Sequence, residues 1–295
     1  MTTWTRRTAL LTLGAATAAC AALPETMPVP QLVELDRFSV QVRGKGSDLV
    51  FIPGLASSRE TWKRSAERLQ SRYRLHLVQI AGFAGETGRA NSSGPVLIPT
   101  AESIAAYITG AKIAPTAVIG HSLGGTIALW LAQNRPEAVS RVMLVDSLPY
   151  FAEVMGIPPA GVAQMQAMLD SGRIQPQSPA QVEMQVRSMA TSAESQATIL
   201  DWSRASDQNI VARAFLENTL IDQRPGLGSV RKPVTIAHAD HLPPGAPKVD
   251  MDAVYARAFG PIPDKRIISI PNALHFVMLD NPAAFDAALD AFLSS

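Results

Sequence analysis

The chain has 295 residues, 47% of them hydrophobic and 17% charged, which supplies a sizeable core for one globular domain and argues against disorder. Its formal net charge of +1 offers no electrostatic footing for nucleic acid or for an acidic membrane surface. One cysteine, Cys20, cannot close a disulfide within its own chain.

Residues 1–22 differ in kind from the rest of the chain. Arg6 and Arg7 precede Leu10, Leu11 and Leu13 and an alanine-rich run to Ala22, with no acidic residue before Glu25. A positive start, a short apolar stretch and small residues at the end describe a signal peptide, and the apolar run is too short to span a bilayer. The arginine pair resembles a twin-arginine export signal. Thr17-Ala18-Ala19-Cys20 resembles a lipobox, with Thr17 where leucine is usual. The expectation is an exported protein, either free in the periplasm or tethered by a lipid on Cys20, which would be its sole membrane contact.

Proline-rich residues 23–36 read as a linker. Residues 37–43 alternate apolar and polar side chains and, with a turn at 44–47, form a hairpin into Leu49-Val50-Phe51-Ile52, which meets Pro53-Gly54-Leu55. Ser57 and Glu60 have the spacing of a capping box for a helix running to about residue 71. A buried strand follows at 75–80, a loop at 82–99, and a helix at 100–110 with Ile104, Tyr107 and Ile108 on one face. Strands at 116–120 and 141–145 bracket another helix, and Asp146 closes the second strand. Strands too uniformly apolar to have a wet face, alternating with helices, predict an α/β fold with a mainly parallel sheet covered on both sides.

That rhythm stops after Asp146. Residues 149–231 hold amphipathic helical stretches with Met155, Met165, Met168, Met184, Met189 and Trp202, a helical cap inserted after the sixth strand and lying over the sheet's carboxyl edge, where ligands bind in open α/β folds. Its methionines read as helix core ahead of ligand contacts. The sheet resumes at 234–236 and 266–270, so residues 37–148 and 232–295 form the core domain. Asn281-Pro282 starts a last helix with Phe285, Leu289, Phe292 and Leu293 on one face.

The chemistry centres on Gly120-His121-Ser122-Leu123-Gly124-Gly125, a Gly-x-Ser-x-Gly turn between a strand and a helix. Such a turn holds its serine in a strained conformation that pushes the side chain outward, and glycines permit the close approach of strand and helix. The helix after Ser122 aims free N–H groups at whatever that serine attacks. A serine hydroxyl needs a base to take its proton. Of five histidines, His76 lies in a buried strand, His121 is locked in the turn facing away, and His238 and His241 flank Asp240. His275, in the loop after the last strand, is the candidate base.

Pro53-Gly54 after an apolar strand, the Ser122 turn, a cap, and Leu274-His275-Phe276 before Asp280-Asn281-Pro282 together resemble the α/β-hydrolase superfamily over nearly all of residues 37–293. The resemblance implies an α/β-hydrolase fold and a triad in the order Ser122, acid, His275. Asp240 holds the acid's place after the strand at 234–236, with Ala237 where the family usually has glycine. Asp146 is the second candidate, since some members supply the acid after the preceding strand. The backbone N–H groups of Leu55 and Leu123 would form the oxyanion hole. Serine as nucleophile sets the chain apart from the dehalogenase and epoxide-hydrolase branches, which carry aspartate there. No cofactor is implied, and the histidines around Asp240 match no metal-ligand spacing. The reading is an exported serine hydrolase that cleaves a small or medium hydrophobic carboxylic ester through an acyl-enzyme. Its rivals are C–C bond, lactone or amide hydrolysis on the same triad, a ligand-binding protein of the same fold without turnover, and a lipid-tethered scaffold.

Overall fold

The computed structural model describes Met1 and residues 30–241 and 249–294. The export signal, the lipobox at Cys20 and the first part of the linker fall outside these residues. Eight strands build one sheet: β1 (Gln31–Glu34), β2 (Phe38–Gly44), β3 (Ser47–Ile52), β4 (Tyr73–Ile80), β5 (Thr116–His121), β6 (Val139–Val145), β7 (Val234–Ala239) and β8 (Lys265–Ile270). They lie in the order β1-β2-β4-β3-β5-β6-β7-β8. β2 runs antiparallel to β1 and β4, and every other pairing is parallel.

Successive strand residues face opposite sides of a sheet, so an all-apolar strand feeds two cores. β3 does this: Val50 and Ile52 join one cluster, Leu49 and Phe51 the other. On the first face lie α2 (Leu97–Gly110), α3 (Leu123–Asn134) and, after β7, α9 (Met251–Ala258). On the second lie α1 (Lys63–Leu69), α10 (Val277–Asp280) and α11 (Pro282–Leu293). Asn281 caps α11 by accepting the Ala284 N–H at 3.1 Å, and Pro282 fills the first helical position, where no N–H is needed.

Between β6 and β7 the chain forms α4 (Phe151–Val154), α5 (Pro159–Ser171), α6 (Pro179–Val186), α7 (Ala193–Ala205) and α8 (Gln208–Leu220), then a 3-10 helix, Arg224–Ser229. The two ends of this helical segment are joined where the Gln223 N–H meets Pro149 O at 2.9 Å. The α7–α8 corner is sewn to the loop after β4 by Gly85 N–H on Ala205 O, Asp207 N–H on Gly82 O and Ala84 N–H on Ser206 Oγ. Glu217 of α8 accepts the Val96 and Leu97 N–H groups at the start of α2.

Local readings change in four places. The linker contains β1, an edge strand of which only Val33 is half-buried, so its apolar signal is weak. Ser58 rather than Ser57 caps the helix after β3, accepting the Glu60 N–H; its first turn is 3-10 (Arg59–Trp62), and α1 ends at Leu69. The loop at 82–99 already contains the first turn of α2. The methionines of the helical segment are not all core: Met189 packs into the second cluster, but Met155 and Met184 are exposed and α5 has no fully buried residue.

Candidate active site

Parallel strands deliver their ends to one edge. Ile52 pairs with Gly120, Gly120 with Leu144, and Val145 with both His121 and Ala237, so Pro53, Ser122, Asp146 and the end of β7 emerge side by side. Ser122 stands between β5 and α3 at φ 51, ψ −119, a conformation few side chains adopt. The turn tolerates no Cβ at its glycines. One on Gly120 would meet Gly124 O at 2.0 Å, and one on Gly124 would meet Ile52 O at 2.3 Å. Gly54 is less tight, since its Cβ would stand 2.9 Å from His121 Nδ1 and 3.2 Å from the Cβ of Ser122.

The Ser122 N–H is already engaged with Val145 O at 2.9 Å. Among the described residues the N–H groups of Leu55 and Leu123 have no acceptor. They belong to the two segments that close on Ser122, the loop after β3 and the first turn of α3.

His275 occupies the turn between β8 and α10, its side chain partly exposed. Three bonds fix the backbone around it: Leu274 N–H to Asp280 Oδ2 at 2.9 Å, Phe276 N–H to Met189 O at 3.0 Å, and His121 Nε2–H to the His275 carbonyl at 2.9 Å. Asp280 Oδ1 also accepts from the N–H and hydroxyl of Thr191, so the helical segment grips the histidine turn on both sides. His121 is fully buried, and that burial, reinforced by the nearby charge of His275, pushes it down to about 3, so it is a neutral donor. His76 is likewise a structural imidazole, held between Asp48 and the Tyr107 hydroxyl.

The structure departs from the sequence preference in the carboxylate that meets His275. His275 Nδ1 lies 2.7 Å from Asp146 Oδ2, whereas Asp240 makes no hydrogen bond to His275. Asp240 instead accepts from His241 Nδ1 and, at 3.3 Å, from the Ala273 N–H, bracing the turn after β8. Ala239 presents its N–H to Asp146 Oδ1 at 3.0 Å, which helps seat that carboxylate, whereas the Asp240 carboxylate is occupied by His241 and the Ala273 N–H. Asp146 itself sits at φ 44, which swings its carboxylate across the strand ends toward His275. Burial opposes its ionisation, but the His275 hydrogen bond and charge and the Ala239 N–H outweigh that and hold the carboxyl below its usual range. The Tyr255 hydroxyl, which the sequence did not single out, donates to Asp146 Oδ1 at 3.1 Å.

A strained serine on a glycine elbow, a histidine on a buried carboxylate and two free N–H groups form a set suited to acyl transfer. A model of the alpha/beta hydrolase fold matches residues 49–282. The chain belongs to the alpha/beta hydrolase fold family. A pimeloyl-[acyl-carrier protein] methyl ester esterase of Nitrosomonas europaea is 28% identical to this hydrolase-fold chain over 262 residues, 85% of the chain and 98% of that protein. Its namesake in Aliivibrio salmonicida is 34% identical over 118 residues, a match spanning 39% of this chain and only 42% of that protein. A hydrolase from Pseudomonas aeruginosa superposes with a TM-score of 0.72 at 16% identity, over 90% of this chain and 98% of its own.

Proposed function

We propose that this family member is a serine hydrolase that cleaves a carboxylic ester of a small or medium hydrophobic acyl group through an acyl-enzyme. The observation that carries the reading is the 2.7 Å bond from His275 to Asp146 beside the Ser122 elbow. Ser122 Oγ attacks the ester carbonyl as its proton passes to His275 Nε2, and Asp146 stabilises the imidazolium. The Leu55 and Leu123 N–H groups hold the tetrahedral oxyanion. Collapse returns the proton to the departing alkoxide, which leaves as an alcohol. Water, deprotonated by His275, then frees the acid and restores Ser122. The near full-length likeness to an esterase of a methyl ester supports an ester ahead of an amide or a C–C bond.

The test is steady-state hydrolysis of p-nitrophenyl esters of graded chain length, with Ser122→Ala and His275→Ala alongside. Turnover that both variants abolish upholds the reading, and the chain-length optimum sizes the pocket. Binding without turnover on any ester would replace it with a ligand-binding role on the same scaffold. Export through the Arg6-Arg7 leader belongs to the proposal, supported by the composition of residues 1–22. Mass spectrometry of the mature N-terminus tests it and reads directly whether Cys20 is lipidated.

A further inference from the structure

We propose that Tyr255 is a positioning residue for the reaction, its hydroxyl fixing the Asp146 carboxylate so that Oδ2 alone faces His275. This rests on reading Ser122, His275 and Asp146 as the catalytic set. Three donors converge on Asp146: the Ala239 N–H and the Tyr255 O–H on Oδ1, at 3.0 and 3.1 Å, and His275 Nδ1 on Oδ2. A carboxylate with one oxygen held by two donors has no freedom to rotate, so the imidazole always meets the same lone pair.

The phenol is built for this. Tyr255 is 2% exposed on α9, which packs on β7 and β8. Its ring lies flat on His238, centroids 4.3 Å apart and planes 9° from parallel, with Phe259 next along the helix. His238 is itself immobilised, its Nδ1–H on Ala239 O at 2.9 Å. The charged and titratable groups of this arrangement are Asp146, just after β6, on the Tyr255 hydroxyl; His275 of the β8–α10 turn on Asp146; His121 of β5 beside His275; and Asp252 of α9, whose Oδ1 is 3.1 Å from His238 Nε2. Burial, together with the charge and hydrogen bond of Asp146, holds the phenol well above its ordinary range, so it stays a donor at every working pH.

A hydrogen bond to a carboxylate lowers its proton affinity. Without the hydroxyl, Asp146 becomes more basic, keeps only the Ala239 N–H on Oδ1, and grips the His275 imidazolium more tightly in a less fixed orientation. Tyr255→Phe in the full chain is expected to lower kcat about tenfold, the effect of losing one hydrogen bond to a charged group. KM should hold, and the acid limb of kcat/KM should rise by roughly half a pH unit. In the substrate-free protein the low-field proton resonance of His275 Nδ1–H should move. On an Asp146→Asn background the same change should cost nothing further, since Tyr255 acts through that carboxylate.

The proposal is overturned if Tyr255→Phe leaves kcat within twofold with the acid limb and the resonance in place, or if it costs the same factor on the Asp146→Asn background. Should the phenylalanine variant not fold, 3-fluorotyrosine at position 255 keeps the ring and strengthens the donor. The acid limb must then shift downward, and an upward or null shift overturns the proposal. The resonance needs no substrate. A protein that turns over no ester therefore defeats the esterase reading while the role of Tyr255 is still decided.

Discussion

Replacing Asp146 by asparagine separates the two acids the sequence offers. The structure dictates how the new amide sits. Oδ1 already receives the Ala239 N–H and the Tyr255 O–H, so the amide oxygen must take that place and the NH2 must face His275 Nδ1. Two donors cannot share one bond. The imidazole therefore turns over its tautomer, puts its lone pair at Nδ1 and presents Nε2–H to Ser122, where a base is required. The same replacement in the serine-protease triad costs about 10⁴ in kcat. A loss of that order, about 5.4 kcal/mol of barrier, is expected here because nothing else in the arrangement can restore the tautomer. Asp240→Asn should stay within about threefold of wild type, as its partners are His241 and a turn N–H. The assay is kcat on the best p-nitrophenyl ester, with active sites counted by a fluorophosphonate. Collapse of Asp240→Asn beside a near-normal Asp146→Asn would refute the reasoning.

Because the folded state holds the Asp146 carboxyl below its unfolded value, Asp146 contributes stability above about pH 4, and this is lost as pH falls through the folded value. Urea melts from pH 7 to 3 should show a steeper acid loss for wild type than for Asp146→Asn. Gly120→Ala and Gly124→Ala drive a Cβ into backbone at 2.0 and 2.3 Å and should cost more than about 3 kcal/mol or leave the protein insoluble. Gly228→Ala, with open space around it, should stay within about 0.5 kcal/mol in the same denaturation series. His121→Phe strands the His275 carbonyl and should cost about 1–3 kcal/mol of stability and lower kcat. Since His121 titrates at about 3, the acid limb of kcat/KM should not move; a shifted limb would show that His121 carries charge in the reaction.

The placement of Ser122 on a strained elbow and of His275 in the turn after β8 was legible because their signals are local: glycines at fixed offsets from a serine, and a histidine in the loop after the last apolar strand. Leu55 and Leu123 were legible only as positions, since it is their backbone N–H groups, left without an acceptor among the described residues, that the proposal uses. Which carboxylate bonds His275 was not legible. Asp146 and Asp240 each end a strand of the same sheet, and nothing in their neighbours reveals which carboxylate swings toward the imidazole. The decision rests on a backbone twist at φ 44 and on donors from β7 and from a short helix. Tyr255 was missed because the short helix α9 sets it at helical spacing with Met251, Val254 and Ala258, a pattern that marks a packing face and says nothing of the partner of its hydroxyl. β1 escaped notice because an edge strand buries almost nothing.

The fastenings between the inserted helices and the core are unevenly spread. The α7–α8 corner and residues 189–191 hold the loop after β4 and the histidine turn, whereas α5 leans on α8 and buries no residue completely. Such a layout separates what must be inherited intact from what is free to vary. Residues 157–178 could be exchanged with those of a relative, or randomised in a library, while the bonds that seat His275 stay untouched. That stretch could then drift in evolution, or be altered in the laboratory, without disturbing the fastenings of the histidine turn.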